Sequence, residues 1–330
     1  ADIYGSYTTE AEFGKAVGLI LAERQVIDAE IFIGDINLKA AKDVVQWITA
    51  GTSRLTQVNA FYVDPNQLTE EMKFIFESGD IVLDCLPGSE APRIAKYARE
   101  FGLHYVNLTE YVKESEEVMK IAEGAETGFI IQSGLAPGYI NILAKYLTEK
   151  FSKKYGISEF EEISMKVGAL TSITKSPHFY GFTWSPIGVA TEYVKDAIIV
   201  KDGKKQNVPS LSDTQTIIID GVTYEDDYTS GGAADMPEYF NTKVKKLDYR
   251  TIRYPGHYNW VRKQIDEIGI SEDLDKALLA KFKSIIPHVE DDIIVLYSSV
   301  TGRDDSDNLY IIEKSMKIFP KVVGSYKIKA

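Results

Sequence analysis

The stretch Ile81-Val-Leu-Asp-Cys-Leu-Pro-Gly-Ser-Glu-Ala-Pro-Arg-Ile-Ala-Lys-Tyr-Ala-Arg-Glu-Phe-Gly-Leu-His-Tyr-Val-Asn107 decides the fold. It opens on a short apolar run, Ile81–Cys85, of strand length. A helical pattern follows over about Ala91–Phe101, then a second short strand at His104–Asn107. Two parallel strands need a crossover to bring the chain back to the same end of a sheet, and a helix of this size supplies one. The alternation extends in both directions. Upstream lie strand Ala29–Gly34, helix Leu38–Ile48, strand Val58–Val63 and helix Thr69–Ser78. Downstream lie helix Lys113–Ala125, strand Phe129–Gln132 and helix Gly138–Lys150. The first part of the chain therefore reads as α/β, a Rossmann-type parallel sheet with helices on its faces.

Beyond about residue 137 the pattern changes. Two Asp-Gly pairs, Asp202-Gly203 and Asp220-Gly221, interrupt apolar runs. Asp-Gly suits the two positive-φ positions of a tight hairpin turn. With Glu161–Leu170 and Ile293–Ser298 as further strands and a helix over Ser271–Ile286, this part reads as an α+β domain with a mainly antiparallel sheet. The expected division is 1–137 for the parallel-sheet domain and 138–304 for the α+β domain. A returning segment, about 305–330, can complete the first. Both termini read as ends that fall inside structure.

Length agrees with two domains: 330 residues at roughly 150 per domain. Lysine and arginine number 37 against 49 aspartates and glutamates, a net charge of −12. That balance repels phosphate backbones and anionic membranes, so no nucleic acid and no membrane is expected as a partner. The basic run Lys201–Lys205 reads as a solvated turn. Cys85 is the single cysteine, which excludes a disulfide framework, and the four histidines show no metal-binding spacing, so no metal is expected. No signal peptide opens the chain and no apolar run reaches membrane length; a cytoplasmic location is expected.

A parallel sheet with a glycine-bearing first turn suggests dinucleotide binding, because glycines let backbone approach a pyrophosphate at a helix N-terminus. The turn here runs from Gly5 and Ser6 to Gly14 and lacks the GxGxxG spacing. Glu10 and Glu12 put negative charge where phosphates would lie. Asp35 stands at a strand end about twenty residues after Gly14, where an acid hydrogen-bonds the ribose hydroxyls. A carboxylate there favours NAD over NADP. Asp35 also suits a helix start, and Asn37 beside it is a further cofactor candidate.

Several segments together resemble the saccharopine dehydrogenase family, which includes lysine 6-dehydrogenases and carboxynorspermidine dehydrogenases. They are Asp84-Cys-Leu-Pro-Gly-Ser-Glu-Ala-Pro92, His104-Tyr-Val-Asn-Leu-Thr-Glu-Tyr111 and Gln132-Ser-Gly-Leu-Ala-Pro-Gly-Tyr-Ile-Asn141 in the first part. Lys166–Leu170, Phe182-Thr-Trp-Ser-Pro186, Thr229-Ser-Gly-Gly232 and Arg253-Tyr-Pro-Gly-His257 continue the match. The resemblance covers most of the chain, in order. It implies a Rossmann domain carrying NAD(P), a second domain carrying substrate and homodimer contacts, and hydride chemistry at a carbon–nitrogen bond of an amino-acid-derived amine. A polyamine-pathway dehydrogenase and a non-catalytic relative with an altered dinucleotide loop stay open as alternatives.

Each candidate residue has a chemical rationale and a structural alternative. Cys85, Leu86 and Pro87 follow a strand and can wall the nicotinamide ribose, or simply form a buried turn. Asn107, Thr109, Glu110 and Tyr111 follow the next strand and can contact the cofactor or the reacting amine, with Tyr111 a candidate for proton transfer. Gly134 begins a segment whose backbone N–H groups suit an anion at a helix start. Arg253 can clamp a carboxylate bidentately, or serve a structural ion pair. His257 is the natural acid/base group for an amine nitrogen, with Lys166 and Tyr180 further candidates, or else a turn residue. Thr229 and Ser230 can donate to a carboxylate. Trp184 can wall the substrate or pack a core.

Overall fold

Short apolar runs separated by amphipathic helices give the first half its layers. The structure, a computed structural model, describes residues 9–24, 26, 28–108, 112–271 and 273–330. It divides into two units, residues up to Ser133 with Lys321–Ile328, and Gly134–Pro320 with the last two residues.

In the first unit, helix α1 (Thr9–Glu23) precedes strand β1 (Ile31–Asp35), helix α2 (Leu38–Gly51), strand β2 (Val58–Tyr62) and helix α3 (Glu70–Ser78). Strand β3 (Ile81–Asp84), helix α4 (Ala91–Glu100), strand β4 (His104–Asn107), helix α5 (Val112–Ala122) and strand β5 (Phe129–Ile130) follow. Among the described residues β1 pairs with β2, and β3, β4 and β5 form a second patch, all pairs parallel. The Asn37 side chain accepts from Lys39 N–H at 3.1 Å, so α2 begins where the strand-to-helix reading placed it. Thr69 does the same for α3 through Met72 N–H. Met72, Ala95, Ala98, Leu103, Tyr105 and Val118 form the core between the second patch and its helices.

One expectation changes here. Gly14 lies inside α1, which starts at Thr9, and not at the end of a loop. Its lost side chain matters for packing: a Cβ there would stand 3.4 Å from Cys85 Sγ. The glycine thus lets α1 lie close against the turn that follows β3.

The second unit holds α6 (Tyr139–Tyr155), β6 (Phe160–Thr171), α7 (Pro186–Val194), β7 (Ala197–Lys201), β8 (Lys204–Val208), β9 (Gln215–Ile219) and β10 (Val222–Tyr228). After these come α8 (Met236–Tyr239), β11 (Val244–Arg253), α9 (His257–Ile268), α10 (Leu274–Ile285), β12 (Asp292–Arg303) and β13 (Leu309–Ile318). The strands form an eight-stranded sheet of order β13-β12-β6-β11-β10-β9, with β7 against β11 and β8. It is mainly antiparallel, with β6 and β11 as a parallel pair. Both Asp-Gly hairpins form, with φ of 52° and 72° at Asp202 and Gly203, and 49° and 75° at Asp220 and Gly221.

Strand alternation sorts the side chains of this sheet. Ile163, Met165 and Val167 join Ile140, Ala144 and Phe151 of α6 in one core. Their alternates Ser164 and Lys166 point the other way. The sheet curls until the Lys317 ammonium of β13 donates to the Ile219 carbonyl of β9 at 3.2 Å. A second core forms where Tyr180, Phe182, Val189, Tyr193, Tyr258, Trp260 and Phe282 meet.

Of the segment expected to return to the first unit, Leu309–Ile318 stays in the second sheet. Only β14 (Lys321–Val323) and β15 (Tyr326–Ile328), an antiparallel hairpin, pack on the first unit. Tyr326 stacks on Trp47 at 4.6 Å between ring centroids. Among the described residues no helix is long and apolar enough to cross a membrane.

Candidate functional site

The first unit gathers its candidates at the C-terminal ends of parallel strands, where open α/β sheets bind ligands. Asp35 closes β1 half-exposed, and its Oδ1 accepts Asn37 N–H at 2.7 Å. Asn37 spends its own side chain on the start of α2, so it orients Asp35 and caps a helix in one move. Across the second patch, Asp84 and Asn107 are register partners at the ends of β3 and β4. Asp84 Oδ1 accepts Leu86 N–H at 3.0 Å, which shapes the Cys85–Pro87 turn. Burial pushes the Asp84 carboxyl up from the usual carboxylate range, against the lowering effect of its Tyr105 and Leu86 bonds. Gly5, Ser6, Thr109, Glu110 and Tyr111 lie outside the described residues.

In the second unit the structure redistributes the expected roles. Arg253 is fully buried, and its guanidinium is taken by the protein itself. It donates to Tyr193 Oη at 2.6 Å, to the Ile252 carbonyl at 2.9 Å and to Glu192 Oε1 at 2.7 Å. It also lies 4.8 Å from the Tyr180 ring centre. The ion pair keeps Arg253 protonated, its pKa raised by the tyrosines and Glu192 against the cost of burial. Three of its five N–H groups are engaged in this way.

His257 is enclosed in the same way. Its side chain is wholly buried, with Nε2 at 2.9 Å from Tyr193 Oη and Nδ1 at 2.6 Å from the His178 carbonyl. Burial drives its pKa down to about 3, with the neighbouring Arg253 charge adding to the effect. The imidazole is thus neutral, and both of its nitrogens are within hydrogen-bond distance of protein oxygens. Lys166 is likewise committed, its ammonium 2.7 Å from Asp226 Oδ2. Arg250 joins that network through Asp226 at 3.3 Å, Asp248 at 3.3 Å and Asp213 at 2.5 Å.

The helix start after Gly134 is also occupied. Tyr139 N–H bonds the Gly134 carbonyl at 2.9 Å, Ile140 N–H the Leu135 carbonyl at 3.1 Å, and Gly138 N–H the Asn141 side chain at 2.7 Å. These N–H groups are used within the segment and do not await an anion. Asn141 then reaches the Gly232 and Ala233 carbonyls at 3.1 Å each, so it ties the Gly134 segment to the loop that carries Thr229 and Ser230. Thr229 pairs its hydroxyl with that of Thr251 at 2.6 Å, and Ser230 N–H bonds the Glu192 carbonyl at 3.0 Å.

Trp184 supplies the clearest sign of a site. Its indole Nε1, the Tyr180 hydroxyl and the Thr183 hydroxyl are buried without a hydrogen-bond partner. The Thr183 and Trp184 groups both face the Tyr180 oxygen, whose pKa burial pushes up to about 12. The three groups therefore form one small buried polar cluster, with the Tyr180 ring against the Arg253 guanidinium. Sequence reading found Trp184 and missed Tyr193, Glu192, Asn141 and Asp84, because their importance lies in partners distant in the chain. An aromatic-rich segment, Phe179–Trp184, was the visible signal for Tyr180 and Thr183.

The chain matches two family profiles, the saccharopine dehydrogenase NADP binding domain over residues 12–131 and the saccharopine dehydrogenase C-terminal domain over residues 134–314. Among curated proteins it is similar to the mitochondrial alpha-aminoadipic semialdehyde synthase of Rattus norvegicus, at 27% identity over 158 residues, 47% of this chain and 17% of that protein. It is similar to the Bos taurus protein of the same name at 25% identity over 231 residues, 64% of this chain and 24% of that protein. The chain thus spans under a quarter of the length of these relatives. Among solved structures it resembles apo saccharopine dehydrogenase (L-Glu forming) from Saccharomyces cerevisiae, with a TM-score of 0.71 at 15% identity over 97% of this chain and 85% of that one. It also resembles homospermidine synthase from Legionella pneumophila in complex with NAD, with a TM-score of 0.61 at 16% identity over 93% of this chain and 76% of that one. At such identities the structural likeness speaks for the fold. The two profiles, matched in order along the two units, carry the assignment: the chain belongs to the saccharopine dehydrogenase family.

Proposed function

We propose that this protein is an NAD-dependent dehydrogenase that acts on a carbon–nitrogen bond of an amino-acid-derived amine, in the manner of saccharopine or lysine dehydrogenases. The observation that carries the reading is Asp35, a half-exposed carboxylate at the C-terminal end of a parallel strand, oriented by Asn37. The residues present fit the cofactor. A carboxylate in that place accepts from both ribose hydroxyls and repels the additional phosphate of NADP, which favours NAD. Gly14 lies close beside Cys85, in the turn after β3 that we assign as the nicotinamide wall. When bound, the nicotinamide supplies the hydride acceptor or donor.

The chain's own residues do the rest of the work. Asp35 holds the adenosine ribose. Leu86 and Pro87, fixed by Asp84, present the turn after β3. In the second unit Tyr180, Thr183 and Trp184 offer hydrogen bonds to a polar group of the substrate. Arg253 and His257 hold Tyr180 and Tyr193 in place from behind. With His257 and Lys166 committed internally, Tyr111 is the proton-transfer residue we assign.

The internal use of Arg253 favours a second reading. With the Arg253 charge already paired to Glu192, a longer and more cationic polyamine-type substrate, as for a carboxynorspermidine-type dehydrogenase, fits the second unit as well. Titration calorimetry with NAD tests the cofactor assignment. Asp35→Ala is expected to weaken NAD roughly ten- to hundredfold, the worth of a hydrogen bond to a charged group, while leaving the melting of the apo protein unchanged. Equal affinity in the two proteins overturns the assignment.

A further inference from the structure

Two turns of the first unit, after β3 and after β5, are joined by a chain of hydrogen bonds that runs through buried Asp84, Tyr105 and Asn107. It begins at the turn after β3, where Leu86 N–H donates to Asp84 Oδ1 at 3.0 Å. Asp84 Oδ2 accepts from the Tyr105 hydroxyl at 2.7 Å. That hydroxyl accepts from Asn107 Nδ2 at 3.1 Å. Asn107 Oδ1 accepts from Gln132 N–H at 3.1 Å, in the turn after β5. The Asn107 carbonyl finally takes both Ser133 N–H at 3.0 Å and Ser133 Oγ at 2.6 Å.

The three central members of this chain are sealed from solvent. Asp84 is 6% exposed, Tyr105 0% and Asn107 1%. Gln132, at the far end, holds a φ of 54°, a conformation unusual for a residue with a side chain. The Asn107 bond holds it there. No ion pair reaches Asp84 among the described residues, and the nearby Arg93 is given to Glu90 at 2.7 Å. A buried carboxylate held only by a phenol and an amide is an expensive way to shape a turn, and an apolar residue would fill the space at lower cost. Its retention calls for something that apolar packing does not give, which is direction.

We infer that Asp84, Tyr105 and Asn107 act as one positioning network, fixing the turns after β3 and β5 so that together they receive the nicotinamide half of the dinucleotide. The inference rests on the cofactor reading above. None of the three needs to touch the ligand. Tyr105 lies beneath the sheet end, packed against Phe129 at 5.5 Å, and works only through its two neighbours. The adenosine half is held elsewhere, by Asp35 at the end of β1 in the separate β1–β2 patch. The network therefore governs one half of the cofactor and leaves the other alone.

Substitution has a built-in control. In Asp84→Asn the side-chain oxygen still accepts from Leu86, and its amide donates to the Tyr105 oxygen. The Tyr105 proton then turns to the Ala91 carbonyl, 3.4 Å away. Shape and connectivity survive. In Tyr105→Phe the chain is cut.

The experiment measures dissociation constants of the full chain for NAD and for AMP, which carries only the adenosine half, in wild type, Tyr105→Phe and Asp84→Asn. Tyr105→Phe is expected to weaken NAD about tenfold and leave AMP unchanged, with Asp84→Asn within about twofold of wild type for both, as expected for loss of one hydrogen-bonded link near 1.4 kcal/mol. Parallel loss of NAD and AMP in Tyr105→Phe, the mark of a merely loosened fold, overturns the proposal. So does unchanged NAD affinity in that variant. If Tyr105→Phe fails to fold, Asp84→Asn decides: NAD affinity near wild type supports the network, and a tenfold loss there overturns it. Wild type that binds neither AMP nor NAD overturns the cofactor reading itself, and this proposal with it.

Discussion

His257 shows how a residue of catalytic type is diverted by its surroundings. An exposed imidazole titrates near neutrality and suits proton transfer. Here Tyr180, Tyr193, Tyr258 and Trp260 surround it, and both ring nitrogens are bonded. Its folded pKa near 3 lies below the unfolded value, so the unfolded chain binds the proton more readily between about pH 6.5 and 3. His257 thus contributes stability fully above that window and loses it as pH falls, by about 1.4 kcal/mol per pH unit. Urea unfolding of wild type and His257→Gln at successive pH values checks this. The difference in stability between them is expected to shrink steadily below about pH 6, and a difference constant with pH contradicts it. The motif Arg253-Tyr-Pro-Gly-His257 was legible as special. Its role was not, because Glu192, Tyr193 and His178, which consume its polar groups, come from a separate stretch of chain.

At the scale of elements, the C-terminal hairpin illustrates a contact that periodicity does not announce. Tyr326 and Ile328 sit with Leu19, Ala22 and Ile48 in a small core of the first unit. Ser325 N–H bonds the Gly51 carbonyl at 2.7 Å. Gly51 has no side chain because the Tyr326 ring occupies its place, and a Cβ there would stand 2.5 Å from a ring carbon. Gly51→Ala is expected to destabilise the protein by about 1–3 kcal/mol through this overlap. Adding Tyr326→Ala should relieve it, so the two losses are less than additive. Calorimetric melting of the two single variants and the double variant tests this, and strict additivity contradicts it. The strands and helices themselves were legible from apolar spacing, and the Asp-Gly turns named their own hairpins. The parallel pairing of β6 with β11 was hidden, since eighty-odd residues separate its register partners, such as Lys166 and Arg250. The start of α1 at Thr9 was hidden as well, because Gly14 reads as a loop glycine until Cys85 is seen against it.

For the whole molecule, the two-part architecture followed from the change of pattern along the chain, and the order of the family segments named the family. What the sequence left open was how the polar residues of the second unit divide between structure and substrate. Lys166, Arg253 and His257 belong to buried networks, whereas Tyr180, Thr183 and Trp184 keep polar atoms unsatisfied. In the function proposed above, that division gives the substrate contact to an aromatic and hydroxyl cluster and not to the charged residues. The account's central claim is hydride transfer from a carbon–nitrogen bond to NAD. Its most direct test is the appearance of NADH absorbance when this chain is mixed with NAD and, in turn, with lysine, saccharopine and carboxynorspermidine. The account predicts NADH formation with one of these amines, faster with NAD than with NADP. Tight binding of NAD with no NADH formed from any of them contradicts it, and identifies a relative that keeps the cofactor and has lost the reaction.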